Sequence, residues 1–91
     1  MDALRIVVEG RVQGVGFRWF VRQEARRLGV AGWVRNLDDG SVELTVAGEE
    51  SAVRRLIEHV RVGPDSAAVT SVLSESVQPH VTLPYPFTVL K

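Results

Sequence analysis

The glycine-rich segment at residues 10–16, followed directly by Phe17 and Arg18, is the part of this sequence best suited to binding an anion. Three glycines in seven residues permit positive φ angles, so consecutive backbone N–H groups can point toward one ligand. The predicted helix that follows has no Ser, Thr, Asp or Asn cap, and Arg18 stands in its first turn, where the helix dipole disfavours a cation. A bound phosphate would satisfy these N–H groups and pair with Arg18. The pattern therefore predicts a phosphate site, the alternative being a tight strand–helix turn with a solvated Arg18.

The same loop lacks the residues on which other phosphate sites and covalent catalysts depend. It does not end in the Lys and Ser or Thr of a nucleotide P-loop, and its glycine spacing differs from the dinucleotide-binding fingerprint. Residues 11–16 contain no Ser, Cys, His, Asp or Glu that could serve as a nucleophile or a base. Phosphoryl transfer at this loop would have to rest on positioning and charge stabilisation, which Arg and backbone amides supply.

Asn36, the only asparagine in the chain, is the second residue that could take part in chemistry. It ends a β-rich segment, a position that propensity does not favour for Asn. Its neutral amide offers a donor and an acceptor, and so could orient a water molecule without repelling an anion. The alternative is that the side chain satisfies the turn predicted at residues 38–40.

The elements that must position these residues follow from hydrophobic spacing. Apolar residues recur at intervals of three and four in two segments, which predicts helices over 17–28 and 49–62. Strand-like patterns cover 4–11, 30–37, 42–46 and 69–77, with a short edge strand over 87–90. The order β-α-β-β-α-β predicts one α+β domain over residues 1–91, with the ferredoxin-like plan of an antiparallel sheet carrying both helices on one face. A strand–helix–strand crossover gives its two strands the same direction, so we expect the glycine-rich loop and Asn36 at the same sheet edge.

Composition excludes several classes of protein. The chain is 45% hydrophobic and 24% charged, with zero formal net charge, as in ordinary globular domains. The charge is uneven, because residues 1–35 hold seven arginines and three carboxylates, a net +4, and the remainder is net −4. No cysteine is present, which excludes disulfides and thiolate chemistry, and no apolar run approaches the ~20 residues of a membrane span. We expect a cytoplasmic monomer with no membrane partner.

Other residues are expected in structural or surface roles. Phe17, Phe20 and Trp33 are predicted to pack in the core or on the sheet surface. His59 and His80 have no partners at metal-ligand spacing, so no metal site is predicted. Glu43 alternates with apolar neighbours and is expected to face solvent.

Two longer patterns in the sequence resemble the signatures of the acylphosphatases. Residues 8–18 fit V-x-G-x-V-Q-G-V-x-F-R, and residues 32–42 fit G-W-V-x-N-x-x-x-G-x-V, with Gly48 beyond. Both match at every fixed position, in the correct order. The resemblance implies hydrolysis of acyl phosphates to carboxylate and phosphate, without a metal or cofactor. The substrate would be a small molecule.

The resemblance also implies roles for individual residues. Arg18 would bind the phosphate and Asn36 would hold the attacking water. Backbone N–H groups would complete the phosphate cradle along the loop formed by Arg11, Val12, Gln13, Gly14, Val15 and Gly16. The Gln13 side chain could either shape the loop through a hydrogen bond or face solvent.

Two other functions share this predicted fold. A regulatory domain could bind a small anion without turnover, and an assay with benzoyl phosphate would separate it from an enzyme. RNA-binding domains display stacking aromatics on their third strand, whereas residues 41–46 contain none and include an acid. With no net positive charge either, we expect no nucleic-acid partner.

Overall fold

Two helices cover one face of a five-stranded sheet in the computed structural model, which describes residues 3–78 and 82–90. The elements in chain order are β1 (Ala3–Arg11), α1 (Phe17–Leu28), β2 (Ala31–Asn36), β3 (Val42–Ala47), α2 (Glu50–Val62), β4 (Ala68–Val77) and β5 (Thr88–Val89). Each predicted helix and strand is present, with ends that differ by a residue or so. The ferredoxin-like α+β fold is confirmed. Residues 79–81, which include His80, lie outside the described residues.

The strand order across the sheet is β4-β1-β3-β2-β5. All pairs are antiparallel except β2 and β5, which run parallel with Trp33 opposite Thr88 and Val34 opposite Val89. The sheet is therefore mixed rather than antiparallel throughout. The direction of β5 follows from the topology: β4 ends at the edge where β1 and β2 begin, and a strand entering from that edge runs in their direction.

The core lies between the helices and the sheet. The side chains of β1 and β3 alternate, so that Ile6, Val8 and Leu44 are fully buried beneath the helices. Phe17 at the start of α1 and Phe87 before β5 are also buried, and Phe20 packs against this cluster. Neither helix of the described residues has the length and apolar character needed to span a bilayer.

An irregularity at the end of β1 redirects the chain into the glycine-rich loop. The pairing of β1 with β4 shifts between Glu9 and Gly10, as in a β-bulge. Gly10 has φ 124°, and a Cβ at this position would lie 2.1 Å from the carbonyl oxygen of Ala68. Only glycine fits such a close approach of two strands, so Gly10 permits the bulge just before β1 ends at Arg11.

The helix-free face of the sheet corrects one expectation. Glu43 was predicted to face solvent, but it is only 3% exposed. The Nε atoms of Arg5 and Arg35 both donate to its carboxylate, Arg35 at 2.7 Å, and the bond to Glu43 raises the pKa of Arg5. Because β3 lies between β1 and β2, long arginine side chains from both neighbours extend over Glu43 and bury it. Trp33 lies on this face as predicted, with the Arg35 Cζ atom 5.1 Å from its ring centre.

Candidate active site

The loop between β1 and α1 leads into a helix whose N-terminus has no side-chain cap. Gly16 is the N-cap residue, with φ 76° in the left-handed region, and no side chain bonds to the first turn of α1. The first helical hydrogen bond runs from the Phe20 N–H to the Gly16 carbonyl at 3.0 Å. Among the described residues, no protein acceptor receives the N–H groups of residues 13–19. This end of α1 thus has the properties of an anion-binding helix terminus.

Gln13 ties this loop to the turn between β2 and β3. Its Nε2 atom donates to the Leu37 carbonyl at 2.8 Å and to the Ser41 carbonyl at 2.9 Å. The question left open by the sequence is therefore settled, since the Gln13 side chain shapes the loop rather than facing solvent. Both acceptors flank the end of β2, so the bonds hold the loop beside Asn36.

Ser66, in the connection between α2 and β4, holds the loop from the other side. Its Oγ donates to the Val15 carbonyl at 2.9 Å. In a trans peptide the C=O and the following N–H point in opposite directions, so this bond turns the Gly16 N–H away from Ser66. Sequence reasoning did not single out Ser66. The β-α-β-β-α-β topology, which returns α2 to the loop edge, was the available signal.

Arg18 and Asn36 reach the same edge from different elements. Near the other end of α1, the Arg26 Nε donates to the Phe87 carbonyl at 2.8 Å. Phe87 directly precedes Thr88, which pairs with Trp33 on β2, so Arg26 is tied to the level of Trp33. From there α1 runs back about 12 Å to Arg18, over eight residues at ~1.5 Å each. In the same direction β2 extends about 10 Å from Trp33 to Asn36, over three residues at ~3.3 Å each. Both α1, followed back to Arg18, and β2, followed to Asn36, thus lead to the loop edge of the sheet.

The turn after Asn36 is satisfied by its own residues. The Leu37 N–H donates to the Ser41 carbonyl at 2.9 Å, and the Gly40 N–H donates to the Leu37 carbonyl at 3.2 Å. The Asp39 carboxylate accepts the Ser41 N–H at 2.9 Å. The Ser41 hydroxyl also donates to Asp39, and these bonds lower the pKa of that carboxyl. Within the described part of the chain, the exposed Asn36 side chain forms no hydrogen bond with the turn. Its amide is thus available to a ligand.

Two arginines of the first third of the chain, Arg11 and Arg18, flank the glycine-rich loop. Arg5, Arg27 and Arg35 are neutralised by ion pairs. Arg18 forms no ion pair with any described carboxylate, and neither does Arg11 at the end of β1. The loop thus lies between two cations without counter-ions, which attracts an anionic ligand.

The histidine that the structure describes serves the helix pair. His59 on α2 bonds to Glu24 on α1, and Arg27 donates to the same carboxylate at 3.0 Å. These bonds, that of Arg27 foremost, lower the pKa of Glu24. Residues 3–78 and 82–90 contain no group of three or more His, Cys, Asp or Glu residues that could hold a metal ion.

Known proteins match this chain over most of its length. The family model described as Acylphosphatase matches residues 4–85, which include the loop and Asn36. An acylphosphatase of Rhizobium etli is 53% identical over 77 residues, covering 85% of this chain and 82% of that protein. An acylphosphatase of Thermotoga petrophila is 53% identical over 80 residues, covering 88% and 89%. The crystal structure of acylphosphatase from Bacillus subtilis superimposes with a TM-score of 0.93 at 40% identity, covering 100% of both chains.

Proposed function

Because the chain belongs to the acylphosphatase family, we propose that it hydrolyses acyl phosphates without a metal or cofactor. The reaction is R–CO–O–PO₃²⁻ + H₂O → R–COO⁻ + H₂PO₄⁻. The observation that carries the proposal is the uncapped N-terminus of α1, with Arg18 in its first turn, which Gln13 ties to the end of β2 beside Asn36. The membership and the site geometry thus support the same reaction.

The phosphoryl group of the substrate binds at the glycine-rich loop. The backbone N–H groups from Arg11 to Gly16 surround its oxygens, and the Arg18 guanidinium pairs with the charge on them. Gln13 and Ser66 hold the loop in place from two sides, so its amides are organised before the substrate arrives. Donors that are already positioned lose little energy to reorganisation when charge moves in the transition state.

Asn36 orients the attacking water. Its amide oxygen accepts a hydrogen bond from the water, whose oxygen attacks phosphorus as the bond from phosphorus to the acyl oxygen breaks. The electron pair of that bond leaves on the carboxylate, and the proton of the water passes to the phosphate. A carboxylate whose conjugate acid has a pKa of about 4 needs no general acid to leave, which fits a loop that contains none.

The activity is tested by phosphate release from benzoyl phosphate, with and without EDTA. We expect equal rates, because the described residues offer no metal-ligand cluster. Alkyl phosphate monoesters serve as the control and should be poor substrates, since an alkoxide leaving group needs an acid that the loop lacks. Strict dependence on Mg²⁺ would overturn this mechanism. Phosphate binding without any turnover would favour the anion-sensing alternative.

We also propose that the protein acts as a monomer in the cytoplasm. Support for a monomer comes from the core, which is complete within one copy of the described chain: Ile6, Phe17, Leu44, Leu56 and Phe87 are fully buried there, while Trp19, Val62, Leu73 and Tyr85 are exposed. Support for the compartment comes from the cysteine-free sequence, which requires no oxidising environment. Light scattering after gel filtration and fractionation of cells that make a tagged chain would test the two statements.

A further inference from the structure

Arg22 stands one helical turn after Arg18 on the same side of α1. Side chains four residues apart on a helix are neighbours, with Cβ atoms about 5–6 Å apart. Arg26, one turn further on, bonds to the Phe87 carbonyl and so directs this side of α1 toward β5. Arg22 is half-buried and lies on the side of α1 that faces the β2–β5 edge, about 6 Å of helix from the phosphate-binding Arg18.

The charge of Arg22 is not used within the described residues. It forms no ion pair there, in contrast to Arg27, which is bound to Glu24 on the side of α1 that faces α2. Asp38 and Asp39, which follow Asn36 in the chain, belong to the turn on the β3 side of β2, away from β5. A substrate that extends from the phosphate site toward β5 would thus meet a cation without a counter-ion.

We propose that Arg22 binds a second anionic group at the far end of the acyl chain. The preferred substrates are then acyl phosphates of dicarboxylic acids with about four carbons. A chain of this length, together with the reach of the Arg22 side chain, covers the ~6 Å of helix between Arg18 and Arg22. The proposal rests on the proposed function and adds no chemical step. The same bond between phosphorus and the acyl oxygen is cleaved, and the products are a dicarboxylate and phosphate.

The test compares succinyl phosphate with butyryl phosphate, which has the same four-carbon chain but an uncharged end. We expect the wild-type protein to show the higher kcat/KM for succinyl phosphate. Arg22→Gln should lower the ratio of the two kcat/KM values by about tenfold, the loss of one charge-assisted hydrogen bond, while kcat/KM for butyryl phosphate stays within about twofold. Arg22→Lys keeps the charge and should retain part of the ratio, a rescue that a purely structural role does not predict.

The matched control is Arg55→Gln, which removes an exposed arginine in the middle of α2 and should leave the ratio unchanged. If wild-type protein hydrolyses both substrates equally well, or if Arg22→Gln keeps the wild-type ratio, the assignment of Arg22 is wrong although the proposed function stands. If wild-type protein hydrolyses neither substrate, the proposed function fails and this inference fails with it.

Discussion

Two groups of arginines in this small domain have opposite surroundings. On the helix-free face of the sheet, Arg5 and Arg35 bind the buried carboxylate of Glu43, and Arg5 also reaches Glu75 at 3.2 Å. At the loop edge, Arg18 and Arg22 extend from α1 without any carboxylate partner among the described residues. The first group links four strands to one another, whereas the second leaves its charge available to a ligand.

The difference shows that strand pairing decides whether an arginine of this domain has a carboxylate partner. Arg35 lies directly opposite Glu43 in the pairing of β2 with β3. Arg5, on β1, lies diagonally opposite Glu43 in the pairing of β1 with β3. Arg18 and Arg22 lie on a helix whose nearest acid, Glu24, is already bound by Arg27 and His59. Removing a paired arginine should therefore reduce stability, and removing an unpaired one should reduce activity.

The largest effect is expected for Arg18→Gln. Its kcat/KM for benzoyl phosphate should fall by about 10³-fold, since the guanidinium stabilises charge that develops in the transition state. Wild-type protein should gain roughly 2.7 kcal/mol of unfolding free energy in phosphate at 100 times its Kd, and the variant should lose most of that gain. Without phosphate the variant should be as stable as wild type, or slightly more so, because a cation leaves the first turn of α1.

Arg5→Gln is the control for this comparison, since it removes an arginine from the paired group. It should lower the unfolding free energy and keep its turnover per folded molecule. If Arg18→Gln retains the full stabilisation by phosphate, Arg18 is not the phosphate ligand, and the contrast between the two groups does not hold.

Asn36→Ala should have the next largest effect and should separate catalysis from binding. We expect kcat to fall by about 10²-fold with phosphate affinity nearly unchanged, because the amide orients the water rather than the phosphate. A role in the turn instead predicts a loss of about 1 kcal/mol in stability and a normal kcat. Measurement of kcat and phosphate affinity on the folded variant decides between them. Asn36→Asp should also be slow, because its carboxylate repels the substrate.

The sequence predicted the site edge better than the sheet surface. Gly16, Arg18 and Asn36 stand in the predicted elements, at the N-cap of α1, in its first turn and at the end of β2, because glycine content and hydrophobic spacing are local signals. The partners of Gln13 were not predictable, since its acceptors are backbone carbonyls 24 and 28 residues away. The pairing of β5 with β2 was not predictable either, because a strand of two residues carries no signal of its partner.

Glu43 shows where the alternation rule fails. Alternating residues on β3 indicate two faces, and the polar face of a strand is usually assigned to solvent. The rule contains no information on the neighbouring strands, and here both neighbours of β3 carry an arginine that covers Glu43. The polar face is thus buried by side chains rather than by a second layer of structure.

Glu43→Gln should have the smallest effect of the three substitutions and should act on stability alone. Glutamine keeps an oxygen acceptor but removes the charge that neutralises Arg5 and Arg35. Losing one partner of a fully buried ion pair costs about 3–5 kcal/mol. The arginines here are 38% and 46% exposed, so water screens them, and we expect a loss of about 1–2 kcal/mol in urea unfolding.

The matched control is Glu75→Gln, which removes the other carboxylate that Arg5 contacts. Glu75 is 65% exposed, so its loss should change stability by less than about 0.5 kcal/mol. Both variants should keep the wild-type kcat, because neither carboxylate belongs to the loop edge. A Glu43→Gln protein with normal stability and a reduced kcat would contradict the division of roles, since it would mean that the paired arginines act on the site through Arg35 and the adjacent Asn36.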